Sequence, residues 1–238
     1  MKITIGHLYP DLLNLYGDRG NIQSLKMRCQ WRGIEAEVKS FQMTDKIDLA
    51  DLDIVLLGGG SDREQKLVSE ALQAYKRELQ AYVDDHGVML ALCGGYELLG
   101  QYCDNGKEKL PGLDLAEMHT EHGEKRLISN VVLENTLFDQ KIVGFENHAG
   151  RVITGNNQAF GKVLLGHGND GKSGMEGIMY KNIIGTNLHG PLLQKNPQVC
   201  DYILKKALER KYGEAELSPL DDRQELAANQ YMVERLGV

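Results

Sequence analysis

The sequence lacks a long hydrophobic run. No stretch approaches the roughly 18 apolar residues that a membrane-spanning helix needs. The first twenty residues, MKITIGHLYPDLLNLYGDRG, lack the charged-then-apolar design and cleavage site of a secretory signal. Basic excess is missing too: 27 Lys and Arg stand against 34 Asp and Glu, a net charge of −7. Such a chain has no electrostatic footprint for nucleic acid or an anionic membrane. Cysteine is sparse, and Cys29, Cys93, Cys103 and Cys200 show neither metal-ligand nor disulfide spacing. Proline is limited to 5 residues, and no internal repeat or low-complexity segment breaks the chain. These absences describe a soluble protein of a reducing compartment, with the cytoplasm as the expected location.

What is present is ordinary in bulk and unusual in detail. The 238 residues are 42% apolar and 26% charged, close to globular averages. That length can bury a core without disulfide or metal staples. Glycine is abundant, at 27 residues, and clustered.

Short apolar runs alternate with amphipathic ones. Ile3–Ile5, Ala36–Phe41, Ile54–Leu57 and Val88–Leu92 read as strands, the last two apolar on both faces as in a buried parallel sheet. Between them Leu67, Val68, Ala71, Leu72, Tyr75, Leu79, Tyr82 and Val83 recur at helical spacing, with Ser61 and Glu64 spaced as a capping box. Strand, helix and strand form a βαβ unit. It puts Gly58-Gly59-Gly60 and Cys93 at carboxyl ends of parallel strands, where open α/β sheets bind ligands.

The second half reads as β-rich. Leu127–Leu133, Ile142–Glu146, Lys162–Leu165, Gly177–Tyr180 and Ile183–Leu188 are strand candidates. A helix follows the Asn196-Pro197 start and stops at Gly213, and Asp221–Leu236 is a weaker, charged helix. The expectation is an α/β fold with a mostly parallel sheet flanked by helices. One domain spans residues 1–213, and a helical extension, 214–238, packs on it.

The sharpest motif is Ala91-Leu92-Cys93-Gly94-Gly95. A buried strand runs into a cysteine flanked by small residues, the architecture of a nucleophile elbow. A helix starting there would favour the thiolate and lower the thiol pKa. The Gly94 N–H and the Gly58–Gly60 loop could stabilise an oxyanion. A buried structural cysteine at a tight turn satisfies the same pentapeptide. His189, after an apolar strand, is the candidate base. His7 and His148 are weaker candidates, and His119 and His122 read as loop residues.

Gly166-His167-Gly168-Asn169-Asp170-Gly171-Lys172-Ser173 fits the P-loop expression. Phosphate binding there needs a helix N-terminus. Gly174-Met175-Glu176-Gly177 and two β-rich runs follow instead, so a glycine-rich hairpin loop is expected.

Taken together, Cys93 in the elbow, the glycine loop one βαβ unit earlier and a late histidine resemble class I glutamine amidotransferases. The base departs from the usual pattern, because Pro191 stands where that class places a Glu. This departure resembles the CobB/CobQ-like branch and, within it, the glutaminase subunits of lipid II isoglutaminyl synthases. The segments carrying the resemblance are Gly6–Pro10, Leu15–Asn21, Gly58–Gln65, Cys93–Tyr96, Phe145–His148 and Asn187–Pro191.

The resemblance implies that Cys93 attacks the glutamine side-chain amide and His189 moves the proton. Gly60 and Gly94 N–H groups hold the oxyanion, and Arg126 binds the substrate α-carboxylate. It implies no cofactor and no metal. It also implies a MurT-like, Mur-ligase-type partner subunit that consumes the ammonia and amidates the D-glutamate of the peptidoglycan stem peptide. A carboxylate from that partner is expected to orient His189. A glutaminase for another CobB/CobQ-like pathway, a cysteine peptidase-like hydrolase and a non-catalytic regulatory subunit remain the alternatives.

Overall fold

The computed structural model describes residues 1–213 and 215–238; Glu214, the first residue of the expected extension, lies outside the described residues. A central sheet joins β1 (Lys2–Leu8), β2 (Glu35–Phe41), β3 (Ile54–Leu57), β4 (Val88–Leu92), β11 (Ile178–Tyr180) and β12 (Ile183–Thr186) in the order β11-β12-β4-β3-β1-β2. Every pairing is parallel except that of β11 with β12. All residues of β3 and β4 are buried, because helices cover both faces.

Alternate strand residues feed opposite cores. Ile3, Ile5, Ile54, Leu56, Leu90 and Leu92 pack with α1 (Arg19–Gln30), α5 (Leu192–Lys195) and α6 (Pro197–Tyr212). Val55, Leu57, Met89 and Ala91 pack with α2 (Asp62–Leu72) and α3 (Lys76–Asp84). The Ser61–Glu64 capping box opens α2. The single helix expected over this stretch is divided at Gln73–Tyr75 by a 3₁₀ turn, where Gln73 donates to the Pro111 and Gly112 carbonyls.

The second sheet is more extensive than the apolar pattern predicts. It comprises β5 (Tyr102–Asp104), β6 (Lys109–Pro111), β7 (His119–Glu134), β8 (Ile142–Ile153), β9 (Gly161–Leu165) and β10 (Met175–Glu176). Antiparallel β7 begins eight residues before the apolar segment expected as a strand, and β8 ends seven residues after its own. The extra length of β7 is polar and largely exposed, so it carries no hydrophobic alternation. His119 and His122 therefore lie in a strand rather than a loop.

Helix α1 has no counterpart in the sequence expectations. Its buried face mixes Ile22, Leu25 and Cys29 with Asn21 and Arg28, which blurs the helical period. It is held by charge as well as packing. Arg28, 4% exposed, makes two bonds each to Asp201 of α6 and to Asp222. Beyond Asp222, α7 (Arg223–Arg235) packs Val233 against Val132 and Val143. Asn229 of α7 donates to the Lys141 and Lys195 carbonyls. Among the described residues, no helix is long and apolar enough to cross a membrane.

Removing Arg28 leaves the partly buried Asp222 carboxylate without its cation and Asp201 with Arg32 alone. Arg28→Ala is expected to cost about 3–5 kcal/mol in denaturant unfolding. Burial alone would raise the Asp201 pKa, but its bonds to Arg28 and Arg32 hold it below the ordinary value. A depressed carboxylate contributes stability above its unfolded pKa, near 3.9, and loses it as pH falls further. The parent should therefore weaken at strongly acidic pH, and the variant should show less of that loss.

Candidate active site

Strand β4 ends at Cys93, which adopts φ 48°, ψ −114°. This left-handed conformation is costly for a non-glycine residue and persists only where its surroundings enforce it. Here the neighbouring strand ends enforce it. The Cys93 N–H donates to the Thr186 carbonyl at 2.8 Å, and the Gly95 N–H to the Gly58 carbonyl at 3.1 Å. A Cβ on Gly95 would stand 2.6 Å from both the Leu57 and Gly58 oxygens, and one on Gly58 would stand 2.3 Å from the Leu13 oxygen. The glycines allow backbone to approach backbone, and the elbow forms in that contact.

The thiol's electrostatics differ from the sequence expectation. The helix after the elbow, α4 (Gly94–Glu97), is a single turn. Burial pushes the Cys93 thiol well above its ordinary range, and the Glu97 and Asp18 charges push the same way. The Gly94 N–H and the Arg126 charge lower it, without overcoming the loss of water. Burial thus favours the protonated thiol over the thiolate at Cys93.

The candidate base lies nearby: a Cβ on Gly59 would stand 3.1 Å from Cys93 Cβ and 3.3 Å from His189 Cε1, so both side chains border the same glycine. His189 follows β12 and exchanges two backbone hydrogen bonds with Phe145 of β8, at 2.8 and 3.0 Å. Tyr16 packs on the imidazole with ring centroids 4.4 Å apart. A carboxylate of this chain lies beside His189. Asp18 Oδ1 lies 3.6 Å from His189 Nδ1, and both residues are buried. They are far apart in sequence and adjacent in space, because Gly20 of α1 abuts Pro191.

Cys93 opens into a cavity of about 270 Å³ that Gly60, Gly94 and Arg126 also line. Arg126 rides on an irregularity of the β7–β8 ladder between His122 and Leu127. Its side chain donates to Asn147 Oδ1 at 2.8 Å and to the Asn147 carbonyl at 2.7 Å. Asn147 Nδ2 donates in turn to the Tyr16 hydroxyl at 2.5 Å. A polar chain therefore joins Arg126 to the residue stacked on His189. Tyr16, Asp18 and Asn147 fall inside the segments that carry the family resemblance, yet nothing in their types marked them as site residues.

The other histidines are otherwise engaged. His148 lines the cavity, but its Nδ1 is 2.8 Å from the Gly150 carbonyl and its Nε2 faces Glu146. Burial lowers the His7 pKa to about 4 with help from Arg19, leaving a neutral ring. His119 stacks on Tyr102, while His122 borders the cavity; three residues apart in a strand, they face opposite sides.

The Gly166–Ser173 segment is the expected loop, between β9 and the antiparallel β10. Four of its N–H groups are occupied by carboxylates. Glu146 accepts from His167 and Gly168, and Asp170 from Lys172 and Ser173.

With this geometry in place, the chain belongs to the family of CobB/CobQ-like glutamine amidotransferase domains, whose pattern it matches over residues 4–197. It is 40% identical, over 98% of its length and 96% of the relative's, to subunit GatD of the glutamine-hydrolysing lipid II isoglutaminyl synthase of Staphylococcus aureus. The corresponding Streptococcus pneumoniae subunit is 37% identical over 90% of this chain and 83% of its own. Among solved structures, a chain of PurLQS from Thermotoga maritima superposes with TM-score 0.55 at 15% identity, covering 88% of this chain and 97% of that one. A glutamine amidotransferase from the same organism gives 0.54 at 14% identity, covering 98% and 93%. At these identities the structures establish the fold alone.

A buried, protonated thiol should react slowly with iodoacetamide at neutral pH. Peptide mass mapping should show Cys93 alkylation rising about tenfold per pH unit through the mildly alkaline range. A rate that is already maximal at pH 7 would contradict the electrostatics described here.

Proposed function

We propose that this chain is the glutaminase subunit of a lipid II isoglutaminyl synthase. The observation that carries this reading is the small cavity where Cys93, Gly60, Gly94 and Arg126 meet, with His189 and Cys93 both beside Gly59. At about 270 Å³ it lies just below the about 300–1,000 Å³ usual for ligand pockets. That suits a single amino acid and disfavours the extended cleft of a peptidase.

In the proposed reaction, His189 takes the thiol proton and the Cys93 sulfur attacks the side-chain amide carbon of glutamine. The N–H groups of Gly60 and Gly94 stabilise the oxyanion that forms. The tetrahedral adduct collapses as His189 returns the proton to the departing nitrogen, releasing ammonia and leaving a γ-glutamyl thioester on Cys93. Water, deprotonated by His189, then hydrolyses the thioester to glutamate and free thiol. Arg126 directs its remaining guanidinium donors at the α-carboxylate. These steps need no cofactor.

We assign consumption of the ammonia to another subunit, because the segment resembling a P-loop is followed by a strand rather than a helix and four of its N–H groups are held by the protein's own carboxylates. We assign the ATP-dependent step to a MurT-like Mur-ligase subunit, which amidates the D-glutamate of the peptidoglycan stem peptide. The proposed location is the cytoplasm, and the lipid-linked substrate is held by the partner. The C-terminal residues from 214 onward are proposed to belong to the same domain.

The deciding experiment is a glutaminase assay with and without the Mur-ligase-type partner, with the thioester trapped at Cys93. Cys93→Ser should abolish ammonia release while circular dichroism shows an intact fold. Unchanged release from that variant would sink the reading. Arg126→Ala should raise KM for glutamine about tenfold or more, the scale of a lost charge-assisted hydrogen bond, and affect kcat less.

A further inference from the structure

We propose that His148 is a positioning residue for glutamine binding: a doubly protonated imidazolium that braces β8 where its ladder with β7 lapses, and so holds Asn147, the anchor of Arg126, in place. The role given to Arg126 rests on the glutaminase reading above; the proton count on His148 does not.

The brace is needed because the ladder has a gap. His122 pairs with Gly150 and Leu127 with His148, so the β7 residues from Gly123 to Arg126 stand against Ala149 alone. Arg126 leaves the strand in that gap. Both of its anchors are on Asn147, the side-chain oxygen at 2.8 Å and the backbone carbonyl at 2.7 Å. The aim of the guanidinium therefore depends on where β8 holds Asn147. Successive side chains of a strand point to opposite faces. The neighbours of Asn147, Glu146 and His148, are both buried.

His148 spans the gap from that buried face. Its Nδ1 lies 2.8 Å from the Gly150 carbonyl, and its Nε2 lies 3.4 Å from Glu146 Oε2. A neutral imidazole has one N–H and one lone pair. Here both nitrogens face oxygen acceptors, so a lone pair on either would meet another lone pair. Both Glu146 oxygens already accept backbone N–H groups, from His167 at 2.6 Å and Gly168 at 3.0 Å, as a carboxylate does. A ring with two N–H groups satisfies both sides. Burial works against that charge, but Glu146, the buried Glu176 and the Gly150 carbonyl outweigh it and hold the His148 pKa above its ordinary value. Charge-assisted bonds of this kind are the stronger ones. They join Gly150, Glu146 and, through Glu146, the Gly166–Ser173 loop into one body behind Asn147.

Two measurements test this. The first is imidazole ¹⁵N–¹H NMR of the whole chain at pH 7, with the ring assigned through its own backbone. Protons on both nitrogens of His148 support the inference, and a single protonated nitrogen overturns it. The second is glutamine hydrolysis, with the synthetase partner present, by His148→Gln in the parent and in Arg126→Ala. Glutamine is neutral and keeps an amide N–H group for the Gly150 carbonyl. We expect KM to rise about tenfold in the parent, the scale of a lost charge-assisted hydrogen bond, with kcat within about threefold. In Arg126→Ala the same change should move KM less than about twofold, because the group it acts through is gone. Equal rises in both backgrounds would place His148 outside the Arg126 route and overturn the inference. So would an unchanged KM accompanied only by a lower Tm. If His148→Gln does not fold, the proton count in the parent decides. An unchanged KM in His148→Gln beside lost ammonia release in Cys93→Ser would remove this inference and leave the glutaminase reading standing.

Discussion

Two backbone turns touch at the ends of β3 and β4 with no side chain between them, and the site depends on that contact. The Gly95 N–H reaches the Gly58 carbonyl at 3.1 Å, and even a methyl group on Gly95 would collide with two carbonyl oxygens. Parallel strands with both faces buried bring these turns together, since their pairing register leaves little freedom at the ends. The strained backbone of Cys93 is held by neighbours that cannot move away. A larger residue at Gly58 or Gly95 would alter the placement of the sulfur before it altered the rest of the sheet.

Burial then sets the chemistry available to that sulfur. A thiol withdrawn from water and placed near Glu97 and Asp18 resists ionisation. The same withdrawal strengthens any interaction with a base that reaches it. In the proposed reaction the sulfur depends on His189, which is itself held by the Phe145 backbone and by Tyr16. Arg126 connects to this arrangement through Asn147 and Tyr16. A substrate carboxylate drawing on the Arg126 guanidinium would thus act on a group already coupled to the base.

The sequence disclosed the parts of this site whose residue types are restricted by geometry. Small residues around Cys93, a glycine run after a buried strand and a proline opening α6 leave few alternatives. The βαβ unit was readable because β3 and β4 are apolar throughout and α2 carries a regular period. Helix α1 was not, because its buried face includes Asn21 and Arg28, whose partners come from remote segments. Asp18 was hidden for the same reason: an aspartate before a helix looks like a cap, and its actual partners are 41 and 171 positions away in the sequence. The length of β7 was also hidden, since half of that strand faces water and has no apolar rhythm to reveal it. The thiol pKa was misjudged because sequence suggests where a helix begins but not how much water its first turn excludes.

The loop from Gly166 to Ser173 has the spacing that elsewhere wraps a phosphate, and here it is wrapped around carboxylates of its own chain. Glu146 and Asp170 occupy four of its N–H groups, and being tethered they act at an effective concentration that a free anion in solution does not match. A nucleotide would have to displace them without offering the fold anything in exchange. The loop is in that sense an anion site with a permanent internal tenant. The motif's glycines serve a tight connection between β9 and β10, and a polyphosphate finds that position already taken.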